Sequence, residues 1–365
     1  MSQSTRMVER LSSDDFGFST VEPFTPTLAD ERYQETILPD VSRTFALTIP
    51  QLPRKLRRSV TTAYLLCRIA DTIEDEPALS SSEKLTLLDD FSLAVSARLP
   101  ASPLGIQASA RLSDHTLPAE RDLVRNLDRI VRLANALDDS ERAAIERCIH
   151  TMCNGMHHYQ EHASLQGLPR MTDLDGYCYC VAGCVGEMLT DLFRAHCKQF
   201  AGGEPRIRQL AVSFGQGLQM TNILKDIWED RLRGACWLPR EVFGRYHLAL
   251  EDLPLNHVTV EFAQAVNELI GVAHAHLRNG FAFTLAIPRL ETGIRKFCFL
   301  ALGMAVLTLQ KIQRKPAFTA GTQVKIARSS VMTTKLLTDV AAQSDRLLQI
   351  VFERAAHGLP LKADA

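Results

Sequence analysis

The sequence carries no net excess of charge and no long apolar run. Its 365 residues hold 41 Lys and Arg against 42 Asp and Glu, for a formal net charge of -1. Without a basic excess there is no general attraction to nucleic acid, and we expect no nucleic-acid partner. No stretch approaches the roughly 20 apolar residues of a membrane span, and the most apolar segment, residues 297–309, is predicted to be a buried helix. We therefore expect no transmembrane segment.

Regular cysteine spacing and a secretory leader are also missing. The nine cysteines follow no framework, and the short step from Cys178 to Cys180 fits structural zinc motifs poorly. Reduced thiols and a cytoplasmic location are the expectation. Residues 1–27 are polar and serine-rich and lack the apolar core of a signal peptide, so we predict a mobile tail there. No Gly-x-Gly-x-x-Gly follows a predicted strand, so we expect no Rossmann unit.

Apolar residues recur with helical spacing along most of the chain, and no segment alternates as a strand does. Capping residues, Gly and Pro delimit the predicted helices, which cover residues 54–76, 139–163, 172–200, 205–231, 258–284, 288–313 and 322–353. We predict an irregular connection over residues 100–118 and surface positions for His274 and His276. The expected fold class is all-α, with one domain over residues 28–356 and a C-terminal tail over residues 357–365.

The first of two acidic rows lies in the predicted helix of residues 54–76. Its polar side chains are spaced by four, three and four residues, which places them on one helix face; they are Tyr64, Arg68, Asp71 and Asp75. The positions between them are almost all apolar. A helix that is apolar nearly all round is usually buried, so this polar line is predicted to face a cavity or a partner.

The second row repeats this geometry in the predicted helix of residues 205–231. Its members are Gln219, Asn222, Asp226 and Asp230. A single Asp-x-x-x-Asp pair is most often a solvated surface feature that has salt-bridge partners. Two such rows, both on otherwise apolar helices, favour a functional site instead.

Carboxylates one helical turn apart repel each other. At an effective dielectric constant of about 20, like charges ~4 Å apart interact by about 4 kcal/mol. A partly enclosed site can therefore hold several carboxylates only if cations neutralise them. Oxygen ligands without adjacent His or Cys favour Mg²⁺ over zinc, and Mg²⁺ commonly bridges one or two carboxylates to substrate phosphates. Two facing pairs would suit one diphosphate each.

Five sequence blocks, in this order, resemble the squalene/phytoene synthase family. They are residues 42–45 (Ser-Arg-Thr-Phe), 64–75, 177–183 (Tyr-Cys-Tyr-Cys-Val-Ala-Gly), 219–230 and 237–242 (Trp-Leu-Pro-Arg-Glu-Val). The second and last blocks are most similar to the squalene-forming members. The resemblance covers about residues 38–340, and it implies a single-domain isoprenoid-synthase helical bundle with a central cavity.

The resemblance also implies an activity. It is the Mg²⁺-dependent head-to-head condensation of two molecules of farnesyl diphosphate to presqualene diphosphate, followed by NADPH-dependent reduction to squalene. One alternative stops before reduction, as a dehydrosqualene or presqualene diphosphate synthase does. Another, of a different class, is a non-catalytic prenyl-binding protein that kept the fold. Release of so apolar a product would involve peripheral contact with a membrane surface.

Individual roles follow from the same resemblance. The expected Mg²⁺ ligands and their supports are Asp71, Glu74, Asp75, Asn222, Asp226, Glu229 and Asp230. Direct contacts to the diphosphates are expected from Ser42, Arg43, Thr44, Arg68, Gln219 and Lys225. Tyr177 is expected to take part in proton removal and Tyr64 to steady the cation. The prenyl chains are expected to lie against Val181, Val185 and Phe297, and NADPH against Lys325, Arg328 and Asn222. The expected catalytic set is Arg68, Asp71, Asp75, Tyr177, Asp226 and Asp230.

Three positions depart from the family pattern. Lys225 stands where the second row often has Arg, which keeps the charge but loses the bidentate fork. Ala235 replaces an Arg near the second row, and either Arg231 or Arg233 could compensate from the same loop. Ala327 replaces a basic residue in the segment expected to contact NADPH, so this last change bears on the reductive step and not on the condensation.

Overall fold

The computed structural model describes residues 25–253 and 258–362, and within them the regular secondary structure is helical. One isolated backbone bridge, between Leu168 and Pro239, is the only β-type pairing in these two ranges. The predicted all-α fold class is therefore confirmed. Most of the predicted N-terminal tail lies outside the described residues. After the last helix, residues 357–362 run back along the protein, where the Lys362 N–H donates to the Gly271 carbonyl.

Seventeen α-helices follow one another in the described ranges. The first seven are α1 (Leu28–Val41), α2 (Phe45–Thr48), α3 (Arg54–Asp75), α4 (Ser81–Val95), α5 (Ala101–Arg111), α6 (Pro118–Arg125) and α7 (Leu127–Asn135). The next six are α8 (Asp139–Gln160), α9 (Met171–Cys178), α10 (Cys184–His196), α11 (Pro205–Lys225), α12 (Ile227–Leu232) and α13 (Arg240–Gly244). The last four are α14 (Val260–Ala286), α15 (Thr292–Arg314), α16 (Arg328–Ala341) and α17 (Asp345–Ala356).

Several predicted helices occur within a few residues of their expected bounds, including α3, α8, α14 and α15. The predictions for residues 100–118 and 322–353 were wrong. The connection over residues 100–118 contains α5, because Pro103 falls in the first turn, where a backbone N–H has no intrahelical partner to lose. The long helix over residues 322–353 is two helices, because the Ser344 side chain accepts from the Leu347 N–H and begins α17 as a new helix.

The predicted helix of residues 172–200 is α9 and α10 joined by one π-helical turn, Tyr179–Gly183. This turn and α10 lie backbone against backbone with α11. A Cβ added to Gly186 would come within 2.1 Å of the Ala211 carbonyl oxygen, and one added to Gly215 within 2.1 Å of the Ala182 carbonyl oxygen. Glycine is therefore needed at both positions for the helices to approach this closely.

The two histidines predicted at the surface are buried in α14, so that prediction was wrong. His274 is 3% exposed and His276 is 5% exposed. Each has a hydrogen-bond partner that a sequence does not show: His274 Nδ1 lies 2.7 Å from the Pro360 carbonyl oxygen and His276 Nδ1 lies 2.8 Å from Ser213 Oγ. A polar side chain can be buried without a large energetic penalty where such hydrogen-bond partners exist.

Helix α15 is longer than the apolar run seen in the sequence. It spans 23 residues, and by length and a mean hydropathy of 1.5 in its most apolar window it is the one described helix that could cross a membrane. Within the fold, 72% of that window is buried. The helix packs against α11, α14 and α16, as a core helix of a bundle does.

An ion pair fixes the start of α1, the helix that leads into residues 42–44. Asp30 is buried and accepts hydrogen bonds from the Arg132 guanidinium at 3.1 and 2.9 Å and from the Thr27 N–H at 2.9 Å. Burial alone would raise the pKa of Asp30, but the hydrogen bonds from Arg132 and Thr27 outweigh it and lower the pKa to about 2.

We expect Asp30→Asn to lower the free energy of unfolding at neutral pH. A carboxylate whose pKa is depressed by folding contributes stability above its ordinary pKa of 3.8, and this contribution is lost as the pH falls through about 2. Chemical denaturation at pH 7 and at pH 2 to 3 should show a deficit that shrinks in acid. Asp128→Asn removes the more exposed partner of Arg132 and is the control. A deficit of equal size at both pH values would contradict the assignment.

Candidate active site

Both acidic rows face one cavity of ≈ 1080 Å³ that runs through the bundle. Its walls come from α3, the π-helical turn, α10, α11, α15 and the start of α16, and residues 42–44 line its rim. Asp75 and Asn222 are exposed at its polar end, whereas Phe297 is 3% exposed at its apolar end. The cavity is therefore open to water where the carboxylates lie and closed where the apolar side chains lie.

The first row follows α3 along the cavity wall. Arg68 Nη2 donates to the Tyr64 hydroxyl at 3.2 Å, and its Nη1 lies 3.9 Å from both Asp71 and Glu120. The Tyr64 ring packs on Phe45 with ring centroids 4.8 Å apart. These contacts hold the Arg68 guanidinium over the row.

The second row crosses a break between two helices. The prediction of one helix over residues 205–231 was wrong at Asp226, which has φ −102° and ψ 17° and separates α11 from α12. The Asp230 N–H still donates to the Asp226 carbonyl at 2.9 Å. The row therefore continues past the break, with all four members lining the cavity.

Arg233 joins the two rows. Its Nη1 lies 3.3 Å from Asp75 on α3, and its Nη2 donates to Asp230 on α12. Arg231, the other residue considered for this position, lies elsewhere: its guanidinium is buried and donates to the Leu250 and Leu253 carbonyls. Of the two candidates, Arg233 is the cation of the site.

Withdrawal from bulk water raises the pKa of Asp71 in the first row and of Asp226 and Asp230 in the second. This cause, reinforced by Asp75, raises the pKa of Asp71 to about 6 against the opposing charge of Arg68. It raises the pKa of Glu74 to about 8 and that of Asp230 to about 7, and the pKa of Asp226 also rises. A divalent cation would stabilise the ionised forms and reverse these shifts.

The carboxylates form two half-sites and not a closed cage. Within residues 25–253 and 258–362, no three His, Cys, Asp or Glu side chains lie close enough together to enclose a metal ion. Mg²⁺ rarely needs such a cage, because it keeps waters and takes substrate phosphates as ligands. The oxygen-only donor set of the two rows therefore fits Mg²⁺ held jointly by protein and substrate.

Two glutamates expected to support the metal have different positions. Glu74 lines the cavity and accepts from the Gln160 side chain at 3.1 Å. Glu229 does not line it, because its Oε1 accepts from the Gly321 N–H at 2.7 Å and points toward the loop before α16. A metal role for Glu229 stays a prediction, and in this structure Glu74 is the glutamate that lines the cavity.

Tyr177 lies between the rows and the apolar chamber and is 4% exposed. Its ring stacks on Trp237 with centroids 4.2 Å apart and meets Tyr159 edge-on at 5.2 Å. Burial, followed by the charges of nearby carboxylates, raises its pKa well above the usual value, so the phenol keeps its proton. Sequence reasoning missed Trp237 as a site residue, although it begins the last block of the resemblance.

Four cations gather beside the second row. Arg43, Lys225, Lys325 and Arg328 all line the cavity. Burial and the positive charges of the other three lower the pKa of Lys325. Ser42 shapes the adjoining loop, since its Oγ accepts from the Phe45 N–H at 2.9 Å. Such a cluster suits an anion with several phosphate oxygens.

The rest of the cavity is apolar. Val181 and Val185 line it from the π-helical turn and α10, and Phe297 closes it from α15. The Phe297 ring packs edge-on against Phe193 with centroids 6.3 Å apart. The other apolar lining residues include Met152, Leu189, Phe214, Leu218, Phe283, Ala301 and Met304. The chamber can therefore enclose a long hydrocarbon away from water.

A family model described as squalene/phytoene synthase matches residues 38–330. The chain belongs to the squalene/phytoene synthase family. The squalene synthase of Cyberlindnera jadinii is 30% identical over 280 residues, which are 75% of this chain and 60% of that protein. The squalene synthase of Candida albicans is 28% identical over 358 residues, which are 93% of this chain and 76% of that protein. The chain thus spans about 60% of the length of the first of these relatives.

Solved structures of the family share the fold. The protein TcSQS with ligand E5700 aligns with a TM-score of 0.74 and 23% identity, over 92% of this chain and 93% of that one. A dehydrosqualene synthase in complex with ligand aligns with a TM-score of 0.64 and 21% identity, over 87% of this chain and 97% of that one. At these identities, the likeness shows the fold alone.

We expect Asp226→Asn and Glu229→Gln to differ in their effect on Mg²⁺-dependent binding of inorganic pyrophosphate. The first removes a carboxylate that faces the cavity and should weaken binding by about tenfold or more. The second is a matched change three residues away whose amide oxygen can still accept from the Gly321 N–H. Titration calorimetry measures both. Equal losses in the two variants would contradict the placement of Glu229 outside the metal site.

Proposed function

We propose that the chain is a Mg²⁺-dependent prenyltransferase that joins two molecules of farnesyl diphosphate head to head and reduces the product to squalene with NADPH. Membership of the squalene/phytoene synthase family and relatives named squalene synthase support this proposal. The observation that carries it is the meeting of two carboxylate rows at the mouth of an apolar cavity, with Arg233 between Asp75 and Asp230.

The proposed metal ligands are Asp71 and Asp75 on one wall and Asp226 and Asp230 on the other, with Asn222 and Glu74 beside them. Their oxygen donors, together with the raised pKa values of Asp71 and Asp230, support Mg²⁺ at both half-sites. When bound, Mg²⁺ neutralises the diphosphate charge and makes the diphosphate a better leaving group. The protein contributes by holding the first pair on α3 and the second pair at the junction of α11 and α12.

The diphosphate oxygens are proposed to contact Arg68 from α3, Gln219 and Lys225 from α11, and residues 42–44 from the rim. Arg68 is already oriented by the Tyr64 hydroxyl, so its planar fork is available in a fixed direction. Lys225 lies 3.0 Å from Asp226 and brings a point charge in place of a fork. Binding both diphosphates at one end leaves the two prenyl chains in the apolar chamber.

In the proposed condensation, one farnesyl diphosphate loses its diphosphate and leaves an allylic cation. The double bond of the second molecule attacks this cation, and loss of a proton closes the cyclopropane of presqualene diphosphate. Because the pKa of Tyr177 is raised, its phenol donates a hydrogen bond to the departed diphosphate, and the diphosphate takes the proton. The ring of Tyr64 faces the same cavity and can steady the cation.

The reductive step is proposed to involve the cation cluster of Arg43, Lys225, Lys325 and Arg328. Presqualene diphosphate would lose its diphosphate in a second ionisation and the resulting cation would rearrange. NADPH, when bound, would supply the hydride that quenches this cation to give squalene. Ala327 lies between the expected contacts and brings no charge, which favours the alternative of an enzyme that stops at an unreduced product. We propose a cytoplasmic enzyme that meets a membrane surface when it releases its product.

The test of the function is a product assay with farnesyl diphosphate and Mg²⁺, with and without NADPH. We expect squalene only in the presence of NADPH and presqualene diphosphate in its absence. Asp71→Asn should lower turnover by about 100-fold or more while circular dichroism shows an unchanged fold. The same unreduced product in both tubes would identify the alternative enzyme, and no condensation product in either would refute the prenyltransferase.

We expect Tyr177→Phe to lower the rate of presqualene diphosphate formation by about 100-fold or more, since it removes the hydroxyl that orients the proton acceptor. Farnesyl diphosphate binding should persist, because the cations of the rim are intact. Tyr159→Phe is the matched control: it removes the hydroxyl of the neighbouring ring, which does not line the cavity. A wild-type rate in Tyr177→Phe would remove this residue from the chemistry.

A further inference from the structure

Helix α16 has its apolar side turned outward. The residues that it buries are Thr334, Thr338 and Ala341. Both threonine hydroxyls donate to carbonyls of the same helix, at 2.8 Å to Ser330 and 2.7 Å to Thr334. A helix on the surface of a protein in water shows the opposite pattern, with apolar residues inside and polar residues outside.

The outward arc of α16, which we call the α16 outer face, is free of charge over its whole length. Its members are Ser329, Met332, Thr333, Leu336, Leu337 and Val340, which helical spacing places within one side of the helix. Leu336 is 65% exposed and Val340 is 70% exposed. No described residue covers them. Contiguous exposed apolar residues of this kind mark an interaction surface.

The side chains that flank this face carry an excess of positive charge. Lys296 and Lys335 both pair with Asp339, at 2.9 and 2.8 Å. Arg328, one turn before Met332, adds a third cation, so three cations stand beside one carboxylate. An apolar face with a basic flank fits an anionic lipid bilayer, where apolar side chains enter the acyl region and cations meet the phosphates.

The face is also continuous with the cavity. Met332 and Arg328 line the cavity wall, yet Met332 is 60% exposed on the outside. Met332 therefore contacts both the chamber and the α16 outer face, so an apolar molecule leaving the chamber past this side chain would reach that face. We propose that the α16 outer face docks on an anionic lipid bilayer, so that the cavity wall at Met332 lies next to the membrane surface.

This inference deepens the proposed function by naming its membrane contact, and its test needs no substrate. The full chain is floated with vesicles of phosphatidylcholine containing about one third phosphatidylglycerol, and with phosphatidylcholine alone. We expect binding to the anionic vesicles that weakens at high salt. The double variant Leu336→Ser/Val340→Ser should bind about tenfold more weakly or worse, since two apolar anchors are lost.

The matched control is Ile106→Ser/Leu117→Ser, which replaces two side chains of similar exposure, 54% and 56%, on α5 and before α6. It should bind like the wild type. Condensation activity in detergent should be the same in all three proteins, because none of the four residues lines the cavity. Failure of the wild type to float, or equal loss in both double variants, would overturn the proposal. So would a dimer in solution that only the α16 variant dissociates, because a second copy would then be the occupant.

Discussion

Repulsion among carboxylates on two apolar helices is the constraint on which the site depends. Asp71 and Asp75 from α3 face Asp226 and Asp230 from α11 and α12, and Arg233 supplies one cation between the rows. Arg68 lies beside Asp71 and Lys225 beside Asp226, so three cations face four carboxylates. Burial, reinforced by neighbouring carboxylates, raises the pKa of Asp71 and Asp230 in spite of these cations. A site of this kind is most stable when divalent cations and phosphates are bound together. Metal and substrate should therefore stabilise each other in it.

Helical spacing alone predicted which side chains share a face, because it depends only on the local geometry of α3 and α11. It did not predict what lies opposite that face. Arg233 and Arg231 were equal candidates in the sequence, and only the fold sends one to the rows and buries the other against the Leu250 carbonyl. The contact of Glu229 could not be predicted for the same reason, since its partner is the backbone of Gly321, 92 residues further along the chain.

Burial of polar groups was the other property that the sequence could not supply. His276 was expected at the surface because imidazole is polar. It is buried instead, and Ser213 on α11 provides its hydrogen-bond partner. Helix α16 shows the reverse case, since Leu336 and Val340 are apolar but exposed. In both cases hydrophobicity alone would place the side chain on the wrong face of its helix. The two exceptions have different causes, a hydrogen-bond partner for His276 and an apolar environment outside the protein for α16.

Close contact between backbones controls the width of the dry chamber. The π-helical turn and α10 can approach α11 only because Gly186 and Gly215 have no Cβ, and this approach brings Val181 and Val185 to the cavity wall. A wider gap would admit water to the place where the proposed allylic cation would have to survive until a carbon–carbon bond forms. The carboxylate rows therefore need water and cations at one end, while the glycine contacts exclude water at the other. Tyr177 is buried between the two ends and keeps its proton, and it lies where the proposed mechanism passes a proton from the hydrocarbon to the diphosphate.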